Sequence, residues 1–170
     1  TDAGVHARHQ IVTFEIESVP DLDRLRRSVD GLVGEEVSMW SAEVAPEGFN
    51  ARFSPVWRAY RYHIDPRPAA DPLLRQWVWH VGRPLDLDAM NRAAAGLVGA
   101  HDFASFCRSR PGATTEREVL EAGWSTDGPR VVFATKARAF CHQMVRSMVG
   151  FCVDVGLGRA GAESVADVLA

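Results

Sequence analysis

Lysine is nearly missing from this chain: 18 of its 19 basic residues are arginine, and Lys136 is the exception. Guanidinium suits bidentate phosphate contacts, but a GC-rich genome produces the same bias, so the excess carries little weight alone. Cysteine is scarce. Cys107, Cys141 and Cys152 are an odd number without C-x-x-C spacing, which argues against a disulfide framework and a thiolate zinc site. It predicts reduced thiols and a cytoplasmic setting. Only two tyrosines occur, Tyr60 and Tyr62. No apolar run approaches the ~20 residues of a membrane-spanning helix, and no signal-peptide pattern is visible, so no membrane partner is expected. A Gly-rich phosphate loop, a Ser-His-Asp set and an H-E-x-x-H pattern are all missing. His6, His9, His63, His80 and His101 are scattered singly, which fits structural roles better than metal ligation.

What is present fits one globular domain spanning 1–170. The 170 residues are 46% hydrophobic and 24% charged, enough to bury a core. The net charge of −3 hides a segregation. Nine acids face three arginines from Glu15 to Glu47. Five arginines (Arg52, Arg58, Arg61, Arg67, Arg75) face two acids from Arg52 to Arg75, and Gly128 to Val153 holds four basic residues and no acid. Basic segments beside an acidic one suit a one-sided phosphate-binding surface. For any single arginine, a solvated surface role is the simpler reading.

Hydrophobic periodicity outlines the elements. Alternation from His9 to Ile16, with Val12, Phe14 and Ile16 on one side, predicts a strand. Residues 19–32 predict an amphipathic helix with Leu22, Leu25, Val29 and Leu32 on one face, ending near Gly31 or Gly34. Residues 36–44 read as a short strand. The stretch 51–64 runs into another, with Tyr60, Tyr62 and Ile64 facing one way and Arg61 and His63 the other. Residues 65–74 read as a loop, and 85–99 as a helix capped by Gly99. "HDFASF" reads as one helical turn, and 118–140 as a β-hairpin turning at Asp127-Gly128. Residues 141–158 predict an apolar helix, and 160–170 begin another. Strands and helices mix without strict βαβ alternation. The predicted class is α+β, with a mixed, largely antiparallel sheet flanked by helices.

Three residues stand out chemically. Asp2 sits in a glycine-bearing loop, where a carboxylate serves as nucleophile, base, ligand or ordinary turn residue. Arg146 lies on an apolar helix and shares a face with His142 four residues earlier. It is either part of a half-buried surface stripe or a buried cation requiring a carboxylate partner, for which Asp2 is a candidate. Tyr60 is flanked by Arg58 and Arg61, an aromatic-basic alternation that can stack an unpaired base while the arginines hold phosphates. Core packing is the alternative for either tyrosine, and alternation does not separate Tyr60 from Tyr62.

Four segments, TDAGVHA (Thr1–Ala7), FNARFSPVWRAYRY (Phe49–Tyr62), GAHDFASF (Gly99–Phe106) and AFCHQMVRSMVG (Ala139–Gly150), occur in order. In sequence and spacing they resemble the tRNA pseudouridine synthase A family. The resemblance implies a pseudouridine synthase catalytic core. Its implied reaction is the isomerisation of uridine to pseudouridine in the anticodon stem-loop of tRNA, at positions thirty-eight to forty. It further implies no cofactor and, as is usual for the family, a homodimer. The family's nucleophilic aspartate falls on Asp2, its active-site tyrosine on Tyr60, and the arginine paired with the aspartate on Arg146. Arg52, Arg58, Arg61, Phe140 and His142 become candidate RNA contacts. His142-Gln143 stands where a His-His pair is common, and Asn50 where histidine is common. The family carries an N-terminal half with a Gly-Arg pair ahead of the Thr1 motif, and a C-terminal strand after the last helix. The chain therefore reads as a truncated catalytic domain. The alternative is an inactive tRNA-binding fragment of such an enzyme. A plain glycoside hydrolase would want a second acid near Asp2, and none is evident in the sequence.

Overall fold

The computed structural model describes residues 2–108 and 112–169. Thr1 of the opening motif and Ala170 at the end of the last expected helix fall outside them. The chain divides into two units, Thr1–Pro55 and Val56–Ala170.

In the first unit the acidic stretch forms helix α1 (Leu22–Val33), with Asp21 as N-cap accepting from the Arg24 backbone N–H and Gly34 closing it at φ 72°. Glycine is suited to that left-handed position, which decides between the two stops the sequence offered. Asp30 accepts from Arg26 Nη1 at 3.3 Å and from the Met39 N–H at 2.6 Å, tying the following loop to the helix. The strands expected over His9–Ile16 and 36–44 do not form. Val12, Phe14 and Ile16 are 72%, 61% and 50% exposed. Alternation marks a potential face, but a strand exists only where a second backbone completes its ladder. Within this unit no ladder forms among the described residues.

The second unit is built on a five-stranded sheet in the order β2-β1-β5-β4-β3, with β1 Arg58–Asp65, β2 Trp79–His80, β3 Gly99–Asp102, β4 Glu116–Asp127 and β5 Arg130–Ala137. Only the β1–β2 pair is parallel. With helices α2 (Leu87–Gly96), α3 (Met144–Gly156) and α4 (Val165–Leu169), this is the α+β arrangement the sequence predicts. The central hairpin forms, but Asp127 pairs with Arg130 and the corner is Gly128-Pro129, with Gly128 at φ 58°. The 2.9 Å Arg130–Asp127 ion pair favours that register over a corner at Asp127 itself.

Three boundaries also differ from the sequence reading. α2 stops at Gly96 because Leu97 caps it, and Gly99, at φ 122°, opens β3 instead of closing the helix. His101 and Asp102 belong to β3, leaving Ala104–Phe106 as the single helical turn. β1 extends to Asp65, and a short turn over Pro72–Leu74, capped by Asp71, interrupts the loop that follows.

One sheet face carries the core. Cross-strand register aligns Ile64 with Val131, Tyr62 with Phe133 and Phe133 with Trp124. Against them pack Met90 and Ala94 of α2 with its C-cap Leu97, and Met144, Met148, Cys152 and Val155 along one stripe of α3, all buried. Fully burying each large apolar side chain contributes about 1.5–3 kcal/mol. α2 and α3 approach closely: a Cβ on Gly156 would lie 2.6 Å from the Met90 sulfur. Asn91 fastens α2 to the sheet, its Oδ1 accepting from the Trp124 N–H at 2.8 Å and its Nδ2 donating to the Trp124 carbonyl at 3.1 Å. This frame brings Tyr60, near the start of β1, onto Phe140, just ahead of α3. No described helix is long and apolar enough to cross a membrane.

Candidate active site

In the first unit, the opening loop turns as the sequence suggests. The Val5 N–H donates to the Asp2 carbonyl at 3.1 Å, and Gly4 takes φ 76° at the third position. That geometry is a turn whose third residue needs positive φ, so Gly4 is required there and the exposed Asp2 sits at its head. In the same unit, Asn50 Oδ1 accepts from the N–H groups of Arg52 and Phe53 at 2.9 and 3.2 Å, and the Arg52 guanidinium lies 5.3 Å over the Phe53 ring. Asn50 thus performs a turn-capping task that a short side chain with a carbonyl oxygen fits well.

In the second unit, alternation along β1 sets Arg58, Tyr60, Tyr62 and Ile64 on the helix-covered face. Arg61 projects from the opposite face, where the Lys136 ammonium lies 4.7 Å over the Trp57 ring. Arg58 and Tyr60 therefore share a surface that Arg61 does not. The Arg58 Nη1 reaches the Arg138 carbonyl at 3.3 Å. Tyr60 meets Phe140 edge to face at 5.2 Å, joining the strand to the segment that leads into α3. Such aromatic pairs add about 0.5–1.5 kcal/mol beyond area burial. Tyr62 packs against the core and meets Trp79 at 6.4 Å. Burial raises its phenol above the usual tyrosine range, and the nearby Arg146 charge pulls in the opposite direction. The site thus gathers Tyr60 and Phe140 beside the approach to α3, and the Arg146 charge is felt at Tyr62.

The start of α3 is unusual. Its N-cap is Gln143 at φ 68°, in the left-handed region that non-glycine residues avoid. The Gln143 Oε1 accepts from Arg146 Nη1 at 3.2 Å, while its Nε2 lies 3.5 Å from His142 Nε2. The Arg108 N–H donates to the His142 carbonyl at 2.9 Å. In the sequence Gln143 stands out only as a departure from a common histidine, because no local pattern signals its left-handed backbone.

The expectation of reduced thiols is overturned at this point. Cys107 and Cys141 are joined as a disulfide with their Cα atoms 5.6 Å apart. The fold brings the turn after β3 beside the approach to α3, a proximity that residue spacing does not encode. Cys152 remains a buried free thiol, pushed up to about 11 by burial.

A second polar cluster braces the sheet edge. Asp65 accepts from Arg67 Nε at 2.9 Å, from Arg67 Nη2 at 2.7 Å and from the Arg67 N–H at 3.0 Å. These donors hold its carboxyl at about 2. His80 Nε2 lies 2.7 Å from the Arg67 carbonyl, completing the tie to β2. Among the described residues, no three His, Cys, Asp or Glu side chains gather into a metal-sized group.

Comparison with known proteins gives this geometry a context. Residues 93–170 match the family model described as tRNA pseudouridine synthase. The whole chain is 49% identical to tRNA pseudouridine synthase A of Streptomyces griseus subsp. griseus and covers 62% of it. It is 46% identical to the protein of that name from Streptomyces avermitilis, again along the whole chain, covering 61% of the relative. It is 36% identical to that of Bifidobacterium longum strain DJO10A, with the whole chain covering 67% of the relative. The chain thus spans a little over three fifths of the length of the Streptomyces proteins it matches. On these matches the chain belongs to the tRNA pseudouridine synthase A family.

Proposed function

We propose that this chain carries the catalytic core of a tRNA pseudouridine synthase, acting on uridines of the anticodon stem-loop. In this reading Asp2 is the nucleophile. The reaction breaks the C1′–N1 glycosidic bond, turns the freed uracil within the pocket and rejoins it to C1′ through C5. The C5 proton is released and N1 regains one. A carboxylate suits the step because it can attack C1′ or offset positive charge developing there. Arg146 is the active-site cation of this reading, and Tyr60 stacks on the flipped base. The target must leave the stem before any of this occurs. Arg52 and Arg58 hold the RNA backbone, which fixes register without reading sequence, while Phe140 and His142 complete the base pocket; Arg61, on the opposite sheet face from Tyr60, takes no part at that surface. The proposal includes a homodimer working in the cytoplasm without cofactor.

The observation that carries the reading is the meeting of Tyr60 and Phe140 at 5.2 Å, where β1 faces the approach to α3, with Arg146 in the first turn of that helix. It offers an aromatic platform next to a cation, as a base with an adjoining phosphate requires. The test is the conversion of uridine to pseudouridine in an anticodon stem-loop, mapped at single-nucleotide resolution. Asp2→Asn is expected to lose roughly three orders of magnitude or more in turnover while keeping salt-sensitive RNA binding. Substantial turnover in that variant would remove Asp2 as nucleophile. Binding without product in the parent chain would favour a tRNA-binding fragment instead.

A further inference from the structure

The disulfide sits where it can act on the site. Cys107 closes the turn Ala104–Phe106, and Cys141 stands just ahead of Gln143, the N-cap of α3. The two segments are joined twice, by the sulfurs and by the Arg108 N–H to His142 carbonyl bond at 2.9 Å. The Cα separation of 5.6 Å lies at the common value for bridged cysteines. Neither residue is sealed in the core: both are half-buried, whereas Cys152 is fully buried. Cysteines that are not sealed in a core remain open to thiol-disulfide exchange.

We propose that Cys107 and Cys141 form a reversible redox latch that orders the His142–Arg146 segment at the start of α3. Oxidation needs a partner, and a low-molecular-weight disulfide such as oxidised glutathione is sufficient. One cysteine thiolate attacks that disulfide and expels one small thiolate, giving a mixed disulfide. The second cysteine thiolate attacks the protein-bound sulfur and expels the other. The two protein thiols lose two electrons and two protons, and one small disulfide becomes two thiols. Excess small thiol reverses both steps. Closing the latch fixes the backbone on which Gln143 and Arg146 are carried. Opening it leaves that segment held by the backbone bond and its packing. The consequence for turnover rests on the reading of Arg146 as an active-site residue. The latch itself does not.

The test equilibrates the chain in glutathione buffers of graded ratio, traps free thiols by alkylation, and reads intact mass and peptide pairing. Amide hydrogen exchange across residues 140–146 is measured in the oxidised and reduced end states. The expected result is a Cys107–Cys141 bond that forms and breaks reversibly within the glutathione range. Cys152 stays unlabelled until the protein is unfolded, and exchange at 140–146 is several-fold faster in the reduced protein. Cys107→Ser should exchange like the reduced form in both buffers while keeping the parent circular dichroism. Two alkylated thiols in the most oxidising buffer, a bond that survives the most reducing one, or equal exchange in the two states would each overturn the latch. A latch that passes these measurements while tRNA turnover stays constant would count against Arg146 and leave the latch standing.

Discussion

Gln143 accepts a hydrogen bond from Arg146 Nη1 at 3.2 Å while standing at φ 68°, the one non-glycine residue with positive φ among those described. Helix N-caps normally adopt extended backbone, so this is local strain at the site's most informative cation. A left-handed L-residue costs about 1–2 kcal/mol, and glycine removes that cost but adds about 0.5–1 kcal/mol of chain entropy. Gln143→Gly should therefore stay within about 1 kcal/mol of the parent in urea unfolding. It should lose about threefold to tenfold in kcat/KM through the missing acceptor for Arg146. Gln143→Asn, whose backbone tolerates the left-handed region, should match that stability and recover part of the turnover. Parental turnover in the glycine variant would show that the Gln143–Arg146 contact has no part in catalysis.

Tyr62 provides a spectroscopic check on the neighbourhood of Arg146. Its phenol is raised by burial above the usual ~10, against the pull of the Arg146 charge. Phenolate absorbance should show one tyrosine titrating late, and Tyr62→Phe should remove that phase. Replacing Arg146 by Met should move it later still. The sign for stability follows: the folded state favours the neutral phenol, so the contribution is intact below pH ~10 and is lost as pH rises through the folded value. If the late phase does not move in the methionine variant, the two groups are not electrostatic neighbours.

The Asp65–Arg67 contact sets an acid limb. Three donors from Arg67 hold Asp65 at about 2, below the ordinary carboxylate range near ~4. A depressed carboxyl contributes stability that is complete above the unfolded value and is lost as pH falls through the folded one. Unfolding midpoints should therefore decline between about pH 4 and pH 2. Asp65→Asn should be less stable at neutral pH and flatter across that window. Parallel profiles for parent and variant would assign the acid loss to other carboxylates.

Legibility in the sequence followed the physical range of each signal. α1, α2 and α3 were readable because their apolar spacing repeats within each segment, and the hairpin because its strands are neighbours in the chain. The strand at His9–Ile16 failed because alternation reports a face and says nothing of a partner; Phe14 and Ile16 remain more or less half exposed. The Gly99 boundary failed because Leu97 and Val98 continue to hydrogen-bond Ala94 and Ala95, closing the helix earlier.

The sequence by itself determined the α+β class, the order of the main elements of the second unit, the face shared by Tyr60 and Tyr62, and the motifs that mark the family. Those are properties of short windows and fixed spacings. Tertiary structure alone decided that Phe140 rests on Tyr60 and that Cys107 meets Cys141 across 34 residues. Each is a contact between segments distant in the chain, and only the packing of α3 against the sheet fixes which side chains meet.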